Sequence, residues 1–440
     1  MLFLRGLLPE KSRVSKHAIR YLNRVLVPAF TLSCCLLSVS LAQDRAPLTI
    51  MEAEELALVA EPGQQELRAR AAALNARAVV AGELPEPTLR VGLNNYPFES
   101  GGFSTEGMTH AAVGFRQTFP AGRSRSIAFR QFEASAEVML ENADARGRNV
   151  LTNVRVAWLN VYYWNQVKSL VSSSRPYFDD LVSVTLSLYS VGRKSQQDVL
   201  RAQLELSRLD DRLIEVERKE AQWRSVLSEW IGENAIRPIA EKLPAWNQTP
   251  PIETLESSLL QHPMLTASEA QIAAWEAGVE LANEGSKPDW SVDVGYSYRD
   301  GSLSSGQPRS DFVSLNFTIG MPFFRKKAVD GNLTAALQER SAAKSSKQKT
   351  VRKLQSDLQT EYALFRDLTQ RLQLYESQIL RLSESHAEAS LLAYQSDNGD
   401  FADAMRANVD DLDTRIQYIR LQVERAQTYA ALANLGGLQR

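Results

Sequence analysis

Cysteine is almost missing from this sequence. Its 440 residues hold two, Cys34 and Cys35, side by side in one apolar run near the start. Beyond that run the chain must hold together without disulfides. Histidine is nearly as scarce: beyond His17 there are only His110, His262 and His386, far apart in sequence. No metal-spaced cluster, glycine-rich phosphate loop or nucleophile–base pair appears, so no metal, no cofactor and no enzymatic activity are expected. Asp and Glu are abundant on helical patterns, where that spacing marks a solvated face. His386 continues a helical stripe from Leu382 and reads as a satisfied interior histidine.

An excess of basic charge is lacking too. The whole chain carries 50 Lys and Arg against 52 Asp and Glu. Arg5, Lys11, Arg13, Lys16, Arg20 and Arg24 precede an apolar run from Val25 to Ala42. That is a charged n-region, an h-region and the small-residue end Ser40-Leu41-Ala42, a signal peptide over residues 1–42. Lipidation at Cys34 is disfavoured by the preceding Thr31-Leu32-Ser33. Without residues 1–42 the count is 44 against 51, a net charge of about −7, which offers no basic face to nucleic acid.

One stretch occurs twice. Tyr189–Ala202 (YSVGRKSQQDVLRA) returns as Tyr394–Ala407 (YQSDNGDFADAMRA), so that Tyr189/Tyr394, Asp198/Asp403 and Arg201/Arg406 all lie 205 residues apart. A constant offset reads as an internal duplication. Each copy sits between long helical patterns and is the bend of a helical hairpin, near 189–198 and near 394–403. The first structural repeat is placed at 43–240 and the second at 241–440.

Proline and periodicity divide the rest. Leu48 to Gly82 is helical with a break at Pro62, and Ile252 to Glu284 is helical with a break at Pro263. Two strand pairs follow, near 88–119 and 290–321. Leu89, Val91 and Leu93 alternate with Arg90, Gly92 and Asn94. Ala111, Val113, Phe115 and Phe119 share a face, as do Trp290, Val292, Val294, Tyr296 and Tyr298, and then Val313, Leu315, Phe317, Ile319 and Met321. Strands about ten residues long, apolar on one face, suit an outer-membrane-type bilayer. Four strands cannot close a barrel and lipid tolerates no open edge, so several copies must contribute; three give twelve strands. Heptad-like stripes fill the remaining lengths: Val199–Trp230 with Glu220 its one polar member, Met405–Ala433, and Val351–Leu382. The run from about Gly122 to Leu188, if one helix, reaches about 100 Å, which suits a projecting tube.

With these features together, the chain resembles the TolC-like outer-membrane efflux family from Leu48 to Gly437. The resemblance rests on the repeat, the paired strands, the equal Pro62/Pro87 and Pro263/Pro288 spacings, and the turn leading into Asp198–Ala202. It implies a mixed α and β membrane protein: a homotrimer whose twelve-stranded outer-membrane β-barrel, four strands per chain, is continued by an antiparallel α-helical coiled-coil tube through the periplasm. The implied partners are outer-membrane lipid, a periplasmic adaptor protein and an inner-membrane pump, proton-driven; the implied function is passive export of small molecules or metal ions. The alternatives are the channel of a type I protein secretion system and a periplasmic coiled-coil adaptor, which would not need two pairs of lipid-type strands.

The resemblance also places the second-repeat hairpin at the periplasmic aperture, with Tyr394, Asp400, Asp403 and Arg406. The first-repeat tip then holds Tyr189, Arg193, Lys194, Asp198 and Arg201. Gly192 has Asp397 as its counterpart, with Asn398-Gly399 just after, which predicts a second bend displaced by two residues. Arg193 and Lys194 oppose Asp397, Asp400 and Asp403, a pattern that suggests a charge latch between the bends. Three copies of Asp400 and Asp403 around one opening predict cation preference.

Overall fold

The computed structural model describes residues 46–59, 61–396 and 398–436. The expected signal peptide lies outside them, as does Asp397. Among the described residues no helix is long and apolar enough to cross a membrane.

Proline sets the first helices. α1 (Ile50–Val59) stops before Pro62, which opens α2 (Pro62–Gly82) at a position where its missing N–H costs nothing. Strands β1 (Thr88–Asn94) and β2 (His110–Phe119) follow. Then α3 (Ser124–Ser190) runs 67 residues without a stop, about 100 Å, with Pro176 inside it. After a short turn, α4 (Gln196–Ile231) returns alongside α3.

The second half has the same order. α5 (Ile252–Leu259) and α6 (Pro263–Glu284) meet at Pro263, again the first residue of its helix. β3 (Asp289–Tyr298) and β4 (Phe312–Gly320) lead into α7 (Lys326–Leu374), a π-helical turn (Tyr375–Ile379), α8 (Leu380–Gln395) and α9 (Phe401–Gly436).

All four strands form one antiparallel sheet in the order β1-β2-β3-β4. The pairing of β2 with β3 joins the two halves and leaves β1 and β4 as edges. The main core runs down α3, α4 and α9, from Leu48 and Trp158 to Phe178, Tyr394 and Phe401. Val199, Ala202, Leu209, Val216 and Leu227 are buried, as the α4 stripe predicts, and Glu220 sits among them, bonded to Arg224. The ion pair of Arg155 with Glu54 is buried: Arg155 Nε lies 2.7 Å from Glu54 Oε1, tying α3 to α1.

The third stripe corrects the sequence reading. Leu354, Leu358, Phe365, Leu368 and Leu372 are buried as predicted, but Leu382 is 59% exposed and His386 is exposed, not interior. The π-helical turn lies between. A wider turn rotates every later residue about the axis, and the buried positions beyond it become Ala387 and Tyr394.

Candidate functional site

The sheet has two unlike faces, and its register aligns them. Leu89, Phe115, Val294 and Leu315 stand in one row across the four strands; Val91, Val113, Tyr296 and Val313 form the next. This apolar face is uncovered: Val91 is 74% and Leu315 60% exposed. Among the described residues nothing else packs on it, so its alternation marks a surface for another medium rather than a core.

The opposite face is polar and narrow. Gly114 and Gly295 stand beside each other between Arg90 and Ser314. Asp293 lies buried there between two cations, its Oδ1 3.0 Å from Arg90 Nη2 and its Oδ2 3.3 Å from Arg116 Nε. Three strands are thereby locked on one carboxylate. Alternation assigns these residues to one face, but their meeting depends on the β2–β3 pairing, which no local pattern reveals. Above the strands, Arg309 Nη1 donates to the carbonyls of Ser104 and Glu106, holding the two hairpin loops together.

The two bends lie at the far end of the long helices. At the first, the Gly192 N–H bonds the Tyr189 carbonyl at 2.9 Å, and Gly192 takes φ +74°, which its missing side chain permits. Ser195 caps α4, accepting the Asp198 N–H at 3.3 Å. Tyr189 and Arg193 are exposed; Lys194, Asp198 and Arg201 are half-buried.

At the second bend α8 ends at Gln395 and α9 begins at Phe401, each 205 residues after the matching end of α3 and start of α4. The expected displacement by two residues is therefore absent at the helix ends. Tyr394 is 1% exposed, packed edge-on against Phe401 at 5.2 Å between ring centres. The bends do meet: Lys194 Nζ lies 4.6 Å from the centre of the Tyr394 ring, a cation–π contact. Sequence reading missed this partner because the two residues lie 200 positions apart. Asp400 and Asp403 are exposed, and Asp403 Oδ1 pairs with Arg406 Nη1 at 3.1 Å.

No group of acidic, histidine or cysteine side chains among the described residues could hold a metal ion. His110 bonds Asn94 and the Met108 carbonyl at the strand end, and His262 is buried at the start of α6.

An edge-open sheet with a bare apolar face, continued by helices of about 100 Å, is the architecture of an outer-membrane channel chain. Residues 254–438 match the family model described as "Outer membrane efflux protein". That region is similar to the outer membrane efflux protein family, and the chain's place is the outer membrane with extension into the periplasm. Sequence comparison with curated proteins returned no match. Among solved structures the chain is similar to CusC, at TM-score 0.75 and 15% identity, over 88% of this chain and 92% of that one. It is similar to the outer membrane protein VceC of Vibrio cholerae, at TM-score 0.73 and 16% identity, over 88% and 96%. The open state of the MtrE outer membrane channel of Neisseria gonorrhoeae aligns at TM-score 0.68 and 17% identity, over 88% of each chain. These likenesses establish the fold.

Proposed function

We propose that this chain is one third of a passive export conduit. Three copies close a twelve-stranded barrel, β4 of each pairing with β1 of the next, apolar face to lipid and polar face to the lumen. The observation that carries this reading is the sheet: two unpaired edges and a continuous exposed apolar face, neither of which lipid or water tolerates alone. The two halves of the chain are copies of one unit, so three chains give a sixfold-like tube of helices. Cargo, small molecules or metal ions, is delivered by a proton-driven inner-membrane pump through a periplasmic adaptor.

The bends line the periplasmic opening, and the acids of the second bend face the axis. Asp403 shares its charge with Arg406, whereas Asp400 has no ion pair among the described residues, so Asp400 dominates the ring. In planar bilayers the protein conducts, prefers cations and is blocked by multivalent cations from the periplasmic side. Asp400→Asn weakens both effects, and Asp403→Asn weakens them less. Wild-type reversal potential and block in Asp400→Asn would remove the bend from the constriction.

A further inference from the structure

The two strand-to-helix junctions are built alike but completed differently. At the first, Pro120 follows β2 and Arg123 precedes α3. The Arg123 main-chain N–H donates to Glu284 Oε2 at 2.8 Å, and Lys287 Nζ donates to Glu284 Oε1 at 2.7 Å. Glu284 ends α6, so this contact joins α3 to a helix of the other half. Gly122 permits it: φ is +50°, and a Cβ there would strike the Glu284 carboxylate.

At the second junction Pro322 follows β4, and Phe323, Phe324, Arg325, Lys326 and Lys327 lead into α7. All five are exposed, Phe324 fully. The three cations have no side-chain hydrogen bond or ion pair among the described residues. Arg325 stands three residues after Pro322, as Arg123 stands three after Pro120. The residue that corresponds to Glu284 is Glu83: each lies 21 positions after the proline that opens its helix, Pro263 or Pro62. Within one chain, however, α2 packs on α3 and not on α7. Glu83 and Glu86 are exposed, beside the exposed Val79, Val80 and Leu84. One segment thus offers two acids on an apolar ground, and the other three cations and two phenyl rings.

We infer that Glu83 and Glu86 of one copy meet Arg325, Lys326 and Lys327 of the next, clasping the protomers together at the base of the barrel. This rests on the trimer reading above. Phe324 stands where Gly122 does, and its Cβ closes the approach to the main chain. Side chains must therefore meet the acids, and the second junction supplies three of them.

The test uses the full chain with Cys34 and Cys35 removed by processing or changed to Ser. Glu83→Cys combined with Arg325→Cys, treated with a short bis-maleimide, gives dimer and trimer bands on a denaturing gel; either single variant gives monomer. Independently, Glu83→Lys with Glu86→Lys lowers the temperature at which the detergent trimer dissociates. Adding Arg325→Glu, Lys326→Glu and Lys327→Glu restores it. If the untreated protein is trimeric by mass but the double-cysteine protein yields only monomer and the charge reversals leave dissociation unchanged, the clasp is wrong and the basic segment faces lipid headgroups. If the untreated protein is itself monomeric, the trimer reading fails and the clasp falls with it.

Discussion

His262 does a job that its sequence context half announces. Pro263 starts α6, and the residue before it caps the helix: His262 Nδ1 accepts the Met264 N–H at 3.2 Å. Burial holds its pKa below the usual 6.5 and Arg148 pushes the same way, against a hydrogen bond with Asn434. The unfolded chain takes up a proton near pH 6.5 while the folded ring resists it. Stability from this group is therefore complete above that pH and declines as pH falls below it, by at most about 1.4 kcal/mol per pH unit. His262→Asn keeps a capping side chain and removes the titration. Between pH 7.5 and 5.5 its melting temperature in detergent should fall less than that of the unaltered protein; equal falls would remove His262 from the acid response. Beyond the expected signal peptide, sequence reading saw three scattered histidines and no ligand set. It placed His386 inside because the heptad was carried past Ile379, where a π-helical turn changes the phase. It missed that Phe401 and Lys194 pack on the Tyr394 ring.

The elements were legible where proline and a strict period coincide. Pro62 and Pro263 open α2 and α6, and the alternation at Leu89–Leu93 and Val313–Ile319 gives β1 and β4. The pairing of β2 with β3 was not legible, since it joins segments about 180 residues apart and only the assembled sheet brings Asp293 to Arg90. The helices before the two bends differ in length, 67 residues in α3 and 70 from Lys326 to Gln395. Pro176 lies 52 residues beyond the first residue of α3, and the π-helical turn spans 49 to 53 residues beyond Lys326, at about the same level. Both disturb the backbone ladder at about one level, so the long helices are irregular there in both halves. For the strands, the exposed row makes a sharp prediction. Leu315→Arg puts a charge on the apolar face, at a cost of about 2–4 kcal/mol at mid-bilayer, and should abolish assembly in outer-membrane fractions. Ser314→Arg, one residue away on the polar face, should assemble normally. Equal yields of the two in the membrane fraction would mean that this face does not meet lipid.

At the scale of the molecule, the chain is an incomplete object. Its sheet ends in two open edges, its apolar face has no partner, and α7 leaves the sheet with its first turns exposed. Sequence alone pointed to several copies, because four lipid-type strands cannot satisfy themselves, and that argument needs only strand count and period. It could not suggest the proposed clasp, because Glu83 and Arg325 acquire a relation only through the fold of the opposite junction. The most direct measurement is the mass of the protein extracted from outer membranes in mild detergent, by light scattering corrected for bound detergent. Three chains per particle is the result expected of a twelve-stranded conduit. A particle of one chain, still folded and still in the outer membrane, would contradict it.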